Sequence, residues 1–237
     1  MKKAVLFLMV SMSLLYKAQI TFYFDNKLNQ KDSIVIITEM DLYKNIKPLK
    51  KIRNKFSTDD KTLNSFENQM KYLAVKCKEI GGNALYIERI VDMSFNQLGM
   101  AASVYNLPEN SFPYNLRKEN AETEFILYRP KYYSGLMTFF KTTEIFIDGE
   151  NLDFNKGDIF RKKLNKSNVL IEIPKYHYTK TVEITPDKIN YMKLMLVQRD
   201  EFTGGNQIVV SFGNEIAVLG LVDETQAKVE MAYMAKK

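Results

Sequence analysis

LNSFENQMKYLAVKCKEIGGNALYIERIV, residues 63–91, carries the pattern that decides the first half of the fold. Leu63, Phe66, Met70, Leu73, Cys77 and Ile80 recur at three- and four-residue spacing, which lays them along one stripe of an α-helix. Asn64, Glu67, Lys71, Lys76 and Lys78 fall elsewhere on the cylinder. Asp59, Asp60 or Thr62 is placed to cap the start, where acidic side chains also suit the helix dipole. Gly81-Gly82 ends the helix, because glycine reaches the left-handed conformation that closes one. Ala84–Val91 (ALYIERIV) then reads as a strand.

Upstream, Ile34–Thr38 (IVIIT) is a short β-branched run and reads as a buried strand. A polar, basic stretch from Tyr43 to Lys61 separates it from the helix. Downstream, Ala101–Tyr105 (AASVY) reads as a third strand. The order is strand, helix, strand, strand. Asn106–Ala121 (NLPENSFPYNLRKENA) has prolines, asparagines and no apolar period, and reads as a linker. Beyond it the signals are β. Glu124–Tyr128 is one strand, and Glu144–Ile147 and Leu152–Phe154 flank Asp148-Gly149, a strong hairpin signal. Val169–Ile173, Thr181–Thr185 and Tyr191–Val197 follow, and Ile208–Phe212 and Glu215–Leu219 flank a second turn, Gly213-Asn214. Short strands at such regular spacing predict a sandwich or barrel. The last dozen residues, from Gln226, read as a short helix or a frayed end. The expectation is an α+β chain with a signal peptide at 1–19 and a small β-α-β-β domain at 20–108. A linker at 109–121 and an antiparallel β-sandwich-like domain at 122–237 complete it.

The N-terminus predicts export. Lys2 and Lys3 precede the apolar run Ala4–Leu15, and Ala18 supplies a small residue near the expected cut, after Ala18 or Gln19. The run is short for a bilayer span, and no later stretch is long enough, so no permanent membrane anchor is expected. The whole chain carries +6; losing Lys2, Lys3 and Lys17, with no acid beside them, leaves +3. That mild charge gives no reason to expect nucleic acid as a partner. A lone cysteine, Cys77, forms no intramolecular disulfide, so the fold must rest on packed cores.

Two stretches resemble known families. Tyr72–Ile87 (YLAVKCKEIGGNALYI), followed by Gly99–Tyr105 (GMAASVY), gives a helix, a glycine-asparagine-alanine turn, a strand and a glycine-led closing strand. It resembles the β-α-β-β domain of the YbjQ-like family, a module shared with the envelope stress sensors of the Rcs phosphorelay. That resemblance implies the small α+β fold and an envelope stress-sensing role. The chain lacks the lipid-bearing cysteine and the paired cysteines of those sensors, and has no cysteine pair or histidine cluster for heavy metal. Phe125–Pro130 (FILYRP), Glu144–Gly149 (EIFIDG) and Val169–Ile173 resemble the small β-sandwiches of PEGA-like envelope lipoproteins. Neither family supplies a catalytic residue to transfer.

Few constellations point to chemistry. His177 is the only histidine, lies between two strands in KYHYTK, and has no Gly-x-Ser-x-Gly elbow to partner it. The plainer reading is an exposed turn residue. Cys77, on the apolar stripe, reads as a packed small hydrophobe rather than a reactive thiolate. One histidine and one cysteine so far apart do not make a zinc site, and Asp59-Asp60 and Asp223-Glu224 lack calcium-loop spacing. They read as helix-start and loop residues. Lys44, Lys47, Lys50, Lys51, Arg53 and Lys55 form a basic run suited to lipid headgroups or an anionic glycan, or to plain solvation. Tyr128, Tyr132, Tyr133, Phe139 and Phe140 gather around Arg129 and Lys131, and aromatic faces beside polar groups stack on ligands. Tyr128, Arg129, Tyr132 and Tyr133 are therefore the candidate ligand or partner surface; the plainer reading of the cluster is core and linker packing against the first domain. The resulting expectation is a non-enzymatic exported envelope protein that binds another protein or a surface component and needs no cofactor or metal. A glycan- or peptidoglycan-binding module is the alternative, and a hydrolase using scattered carboxylates the third.

Overall fold

The computed structural model describes residues 19–22, 34–37, 45–54, 65–94, 97–108, 122–130, 142–198, 208–212 and 215–235. Mostly strands in several sheets, with two helices, make up this part of the chain. It divides into two compact units, residues 1–90 with 99–117 and residues 91–98 with 118–237.

The first unit holds β1 (Gln19–Phe22), β2 (Ile34–Ile37), β3 (Lys50–Arg53), helix α1 (Phe66–Glu79) and most of β4 (Ala84–Ser94) and β5 (Gln97–Tyr105), whose adjoining ends fall within residues 91–98 of the second. One sheet runs in the order β1-β2-β4-β5-β3. β2 and β4 are parallel, joined across α1, while β1–β2 and β3–β5 are antiparallel. The expected strand-helix-strand-strand order thus sits inside a larger sheet with β1 and β3 at its edges. Ser65 caps α1 by accepting from Asn68 N at 3.2 Å. Asp59, Asp60, Thr62 and Leu63 lie outside the described residues. Phe66, Met70, Leu73 and Cys77 of the predicted stripe are buried, Ile80 is half-buried, and Ala74 and Gln69 are buried beside them; the Gln69 Oε1 accepts from Met100 N on β5.

The turn after α1 explains its own composition. Gly81 has φ 81°, in the left-handed region. Gly82 lies so close to the sheet that a Cβ there would meet a Val104 methyl at 2.3 Å and Tyr105 O at 3.0 Å. Asn83 then clamps the far end of β5. Its side-chain amide donates to Leu107 O and its Oδ1 accepts from Leu107 N, both at 2.7 Å.

The second unit holds β6 (Glu124–Tyr128), β7 (Thr142–Ile147), β8 (Glu150–Asn155), β9 (Ile159–Lys163), β10 (Asn168–Ile173), β11 (Tyr178–Glu183), β12 (Ile189–Gln198), β13 (Ile208–Phe212), β14 (Glu215–Val222) and helix α2 (Glu224–Met234). Its sheets run β11-β10-β7-β8 and β13-β14-β12-β6-β9. Phe125, Leu127, Met192, Leu194, Leu196, Ala217 and Leu219 from one sheet meet Ile145, Ile147, Val169, Ile171 and Ile173 from the other in a single core. This is the sandwich expected from the alternating strands, with one difference: β6 runs parallel to β12. At the β7–β8 turn Asp148 and Gly149 both have positive φ, 54° and 79°, as a two-residue hairpin of this kind requires. The Asp148 Oδ1 also accepts from Leu170 N at 3.0 Å and from the Lys166 ammonium at 2.6 Å, tying the turn to β10.

The five-stranded sheet is covered on its second face as well. Ile126, Tyr128 and Tyr191 point away from the sandwich core and meet Ala227 and Met234 of α2. A sheet buried on both faces gives continuous apolar strands rather than alternating ones, hence FILY in β6 and the long apolar run of β12. Asp223 caps α2, accepting from Gln226 N at 2.9 Å, so the Asp223-Glu224 pair starts a helix. Among the described residues no helix is long and apolar enough to cross a membrane.

Candidate functional site

The residues expected to form a ligand or partner surface divide between interior and undescribed positions. Tyr128 is 0% and Arg129 2% exposed, so both serve internal contacts, which matches the packing reading of these two residues and not a stacking platform. Tyr132, Tyr133, Phe139 and Phe140 lie outside the described residues.

Tyr128 opens onto a buried ion pair between Lys193 and Glu230. Its hydroxyl donates to Glu230 Oε2 at 2.6 Å. Glu230 Oε1 accepts from the Lys193 ammonium and from the Gln226 amide, each at 3.0 Å. Lys193 and Glu230 are both 0% exposed. The geometry follows from register. Tyr128 and Lys193 are direct neighbours across the parallel β6–β12 pair, so their side chains leave the sheet together. Gln226 and Glu230, one helical turn apart, face them from α2. The network brings together an ammonium, a carboxylate, a phenol and an amide, each engaged by another member. Such a cluster fixes where α2 sits on the sheet, because a misplaced helix would leave a buried charge without its partner.

Arg129 follows directly on β6 but turns the other way. Its Nη1 donates to Phe154 O at 2.7 Å and more weakly to Thr143 Oγ1 at 3.4 Å. Its backbone N–H donates to Asp158 O and its carbonyl accepts from Gly157 N. Burial lowers the guanidinium pKa, opposed by Tyr176 and Asp158 nearby. Lys156 is lowered too, by burial first and by Arg129 second. Arg129 thereby stitches the end of β6 to the β8 strand and to the Gly157 turn.

The remaining candidates fall in ordinary settings. His177 is exposed, in the left-handed conformation (φ 49°), and closes the short 3-10 turn Pro174–Tyr176. Cys77 is buried, its thiol pushed up to about 11 by that burial. Of the basic run, Lys47, Lys50, Lys51 and Arg53 are exposed, and the last three belong to the edge strand β3. Lys44 and Lys55 lie outside the described residues. Among the described residues no three His, Cys, Asp or Glu side chains gather to hold a metal ion.

Sequence reasoning missed Lys193, Gln226 and Glu230. One signal was present: a lysine inside the apolar run YMKLMLV demands a buried partner. Its partner, Glu230, lies 37 residues on, in a segment with no apolar stripe to announce a helix. Compared with protein-family models, with curated proteins and with solved structures, this chain matches none.

Proposed function

We propose that this chain is a non-catalytic accessory protein of the bacterial cell envelope, exported and acting by binding another protein. The observation that carries the reading is the use of the interior charge. Lys193, Glu230, Gln226 and Tyr128 close upon one another, and Arg129 closes on a carbonyl and a hydroxyl of its own unit. Groups that would have suggested acid–base work are therefore engaged in positioning α2 and the strand ends.

Export rests on Lys2, Lys3 and the apolar run Ala4–Leu15. It is compatible with the fold, because β1 begins at Gln19 and a cut after Ala18 leaves its sheet whole. The resemblance to YbjQ-like and Rcs-sensor domains supports the envelope, and an envelope stress response as the setting. The structural uses of Gly81, Gly82 and Asn83 explain the shared turn by folding alone, so the role in stress sensing leans on the resemblance.

The test is export and capture in one preparation. A C-terminally tagged full-length chain is expressed in a bacterial host, recovered from the envelope fraction, and its N-terminus sequenced. The expected result is a chain beginning at Gln19 or Ile20 that co-purifies with one protein in fixed ratio and retains no cell-wall glycan. Glycan retention lost on Tyr132→Ala/Tyr133→Ala overturns the reading in favour of a glycan-binding module.

A further inference from the structure

We infer that the outer edge of β3 is a docking strand for an extended acidic segment of a partner protein. This deepens the reading of the chain as a binding protein and rests on it. β3 ends the five-stranded sheet of the first unit, and among the described residues its neighbour is β5 alone. Its pairing runs from Lys50↔Val104 to Arg53↔Ala101. Asn54 N donates to Met100 O at 3.0 Å, which sets the phase of the ladder. In an antiparallel pair the backbone groups of alternate residues turn inward and outward. Asn54 and Ile52 therefore turn toward β5, and Lys51 and Arg53 aim their N–H and C=O groups at the open edge.

Side chains add a sign to that edge. Lys50, Lys51 and Arg53 are all exposed, and Leu49 just before them is 50% exposed. Lys51 and Arg53 share one face by the strand's two-residue period, and Lys50 lies on the other. Among the described residues one acid touches the group: Glu88 sits 3.3 Å from the Lys51 ammonium and also accepts from Ser103 Oγ. A second copy of β3 laid against this edge would set cation against cation on both faces, which disfavours self-pairing. A strand carrying Asp or Glu on both faces meets a cation at three of the four β3 positions, all but Ile52, so the same charges that bar a copy select an acidic guest. Strand addition supplies main-chain bonds and the charges supply the choice of partner.

The full-length chain is titrated with a capped peptide repeating Glu-Glu-Val, which places glutamate on both faces of a strand. Parallel titrations use the same peptide N-methylated along its pairing edge and a valine–lysine counterpart. The expected result is saturable binding of the acidic peptide only, with the Lys51 and Arg53 amides gaining protection from hydrogen exchange. Lys50→Glu/Arg53→Glu, at exposed positions, should weaken that binding about tenfold or more while the circular dichroism is unchanged. Equal binding of the N-methylated peptide would reduce the edge to a point-charge attraction and overturn the inference. So would amides already protected in the free chain, since the edge would then be covered by the chain itself. Sedimentation with phosphatidylglycerol vesicles, without peptide binding, would overturn it in favour of a lipid surface. An envelope partner held equally well by wild type and by Lys50→Glu/Arg53→Glu would remove β3 as the site and leave the binding-protein reading standing.

Discussion

Among the described residues each unit lays one helix across a five-stranded sheet, and the two helices are held by different chemistry. α1 docks through Phe66, Met70, Leu73, Ala74 and Cys77, with Gln69 giving a single polar tie to β5. α2 docks with Ala227, Val229 and Met234 around Gln226 and Glu230; Glu230 accepts from the buried Lys193 and Tyr128, and Gln226 donates to Glu230. An apolar stripe tolerates small shifts of the helix because dispersion and burial are non-directional. A buried ion pair does not, since displacement strands a charge. α2 is also the shorter helix, 11 residues against 14, so it has less apolar surface with which to fix itself. The comparison teaches that the same architectural task is met by area where a stripe exists and by directional bonds where it does not.

The comparison can be broken at its strongest point. Lys193→Met leaves Glu230 buried without its cation and should cost about 3–5 kcal/mol in urea unfolding. Adding Glu230→Met should restore most of that, because apolar replacement of a whole buried pair is often neutral or better. A double variant as unstable as the single would mean the charges do not act as a pair. On the other helix, Leu73→Ala should cost ~3 kcal/mol through lost burial and the cavity left behind, with no single partner substitution able to restore it.

Alkaline titration sharpens the contrast. Burial raises the Cys77 thiol from an ordinary 9.0 to about 11, so the folded state holds that proton more tightly than the unfolded chain. Its contribution is whole below about 9 and is lost as pH rises toward about 11. Tyr191, beneath α2, is raised from 10.0 to about 12, by burial first and the Glu224 charge second, so its loss comes later. Hydrogen exchange should therefore show α1 weakening at lower pH than α2, and Cys77→Ala should abolish the early phase. The smallest effect is at Tyr178, whose hydroxyl is buried without a hydrogen-bond partner. Tyr178→Phe should raise stability by up to about 1 kcal/mol, since it removes an unsatisfied polar group.

Much of the fold was legible where burial is one-sided. The α1 stripe, the Asp148-Gly149 hairpin and the alternating β10 follow directly from helix and strand periods. β3 (KKIR) and β9 (IFRKK) were passed over because edge strands carry charge and bury little, which erases the apolar signal a strand otherwise shows. α2 was half seen, as a short helix or a frayed end, because the residues that anchor it are a glutamine and a glutamate. The parallel pairing of β6 with β12 joins strands more than sixty positions apart, which no local pattern reveals. Of the expected ligand surface, Tyr128 and Arg129 were marked by type and neighbourhood. Their burial depended on contacts with α2 and β8 that sequence spacing does not encode.

The measurement that bears most directly on the proposed binding role is partner capture by three full-length chains. These are the wild type, Lys193→Met/Glu230→Met, and Tyr132→Ala/Tyr133→Ala, each recovered from envelope extract and checked for folding. The account predicts that all three hold the same protein in the same ratio. A folded Lys193→Met/Glu230→Met chain that holds nothing would contradict it, because the buried network would then be the functional site itself.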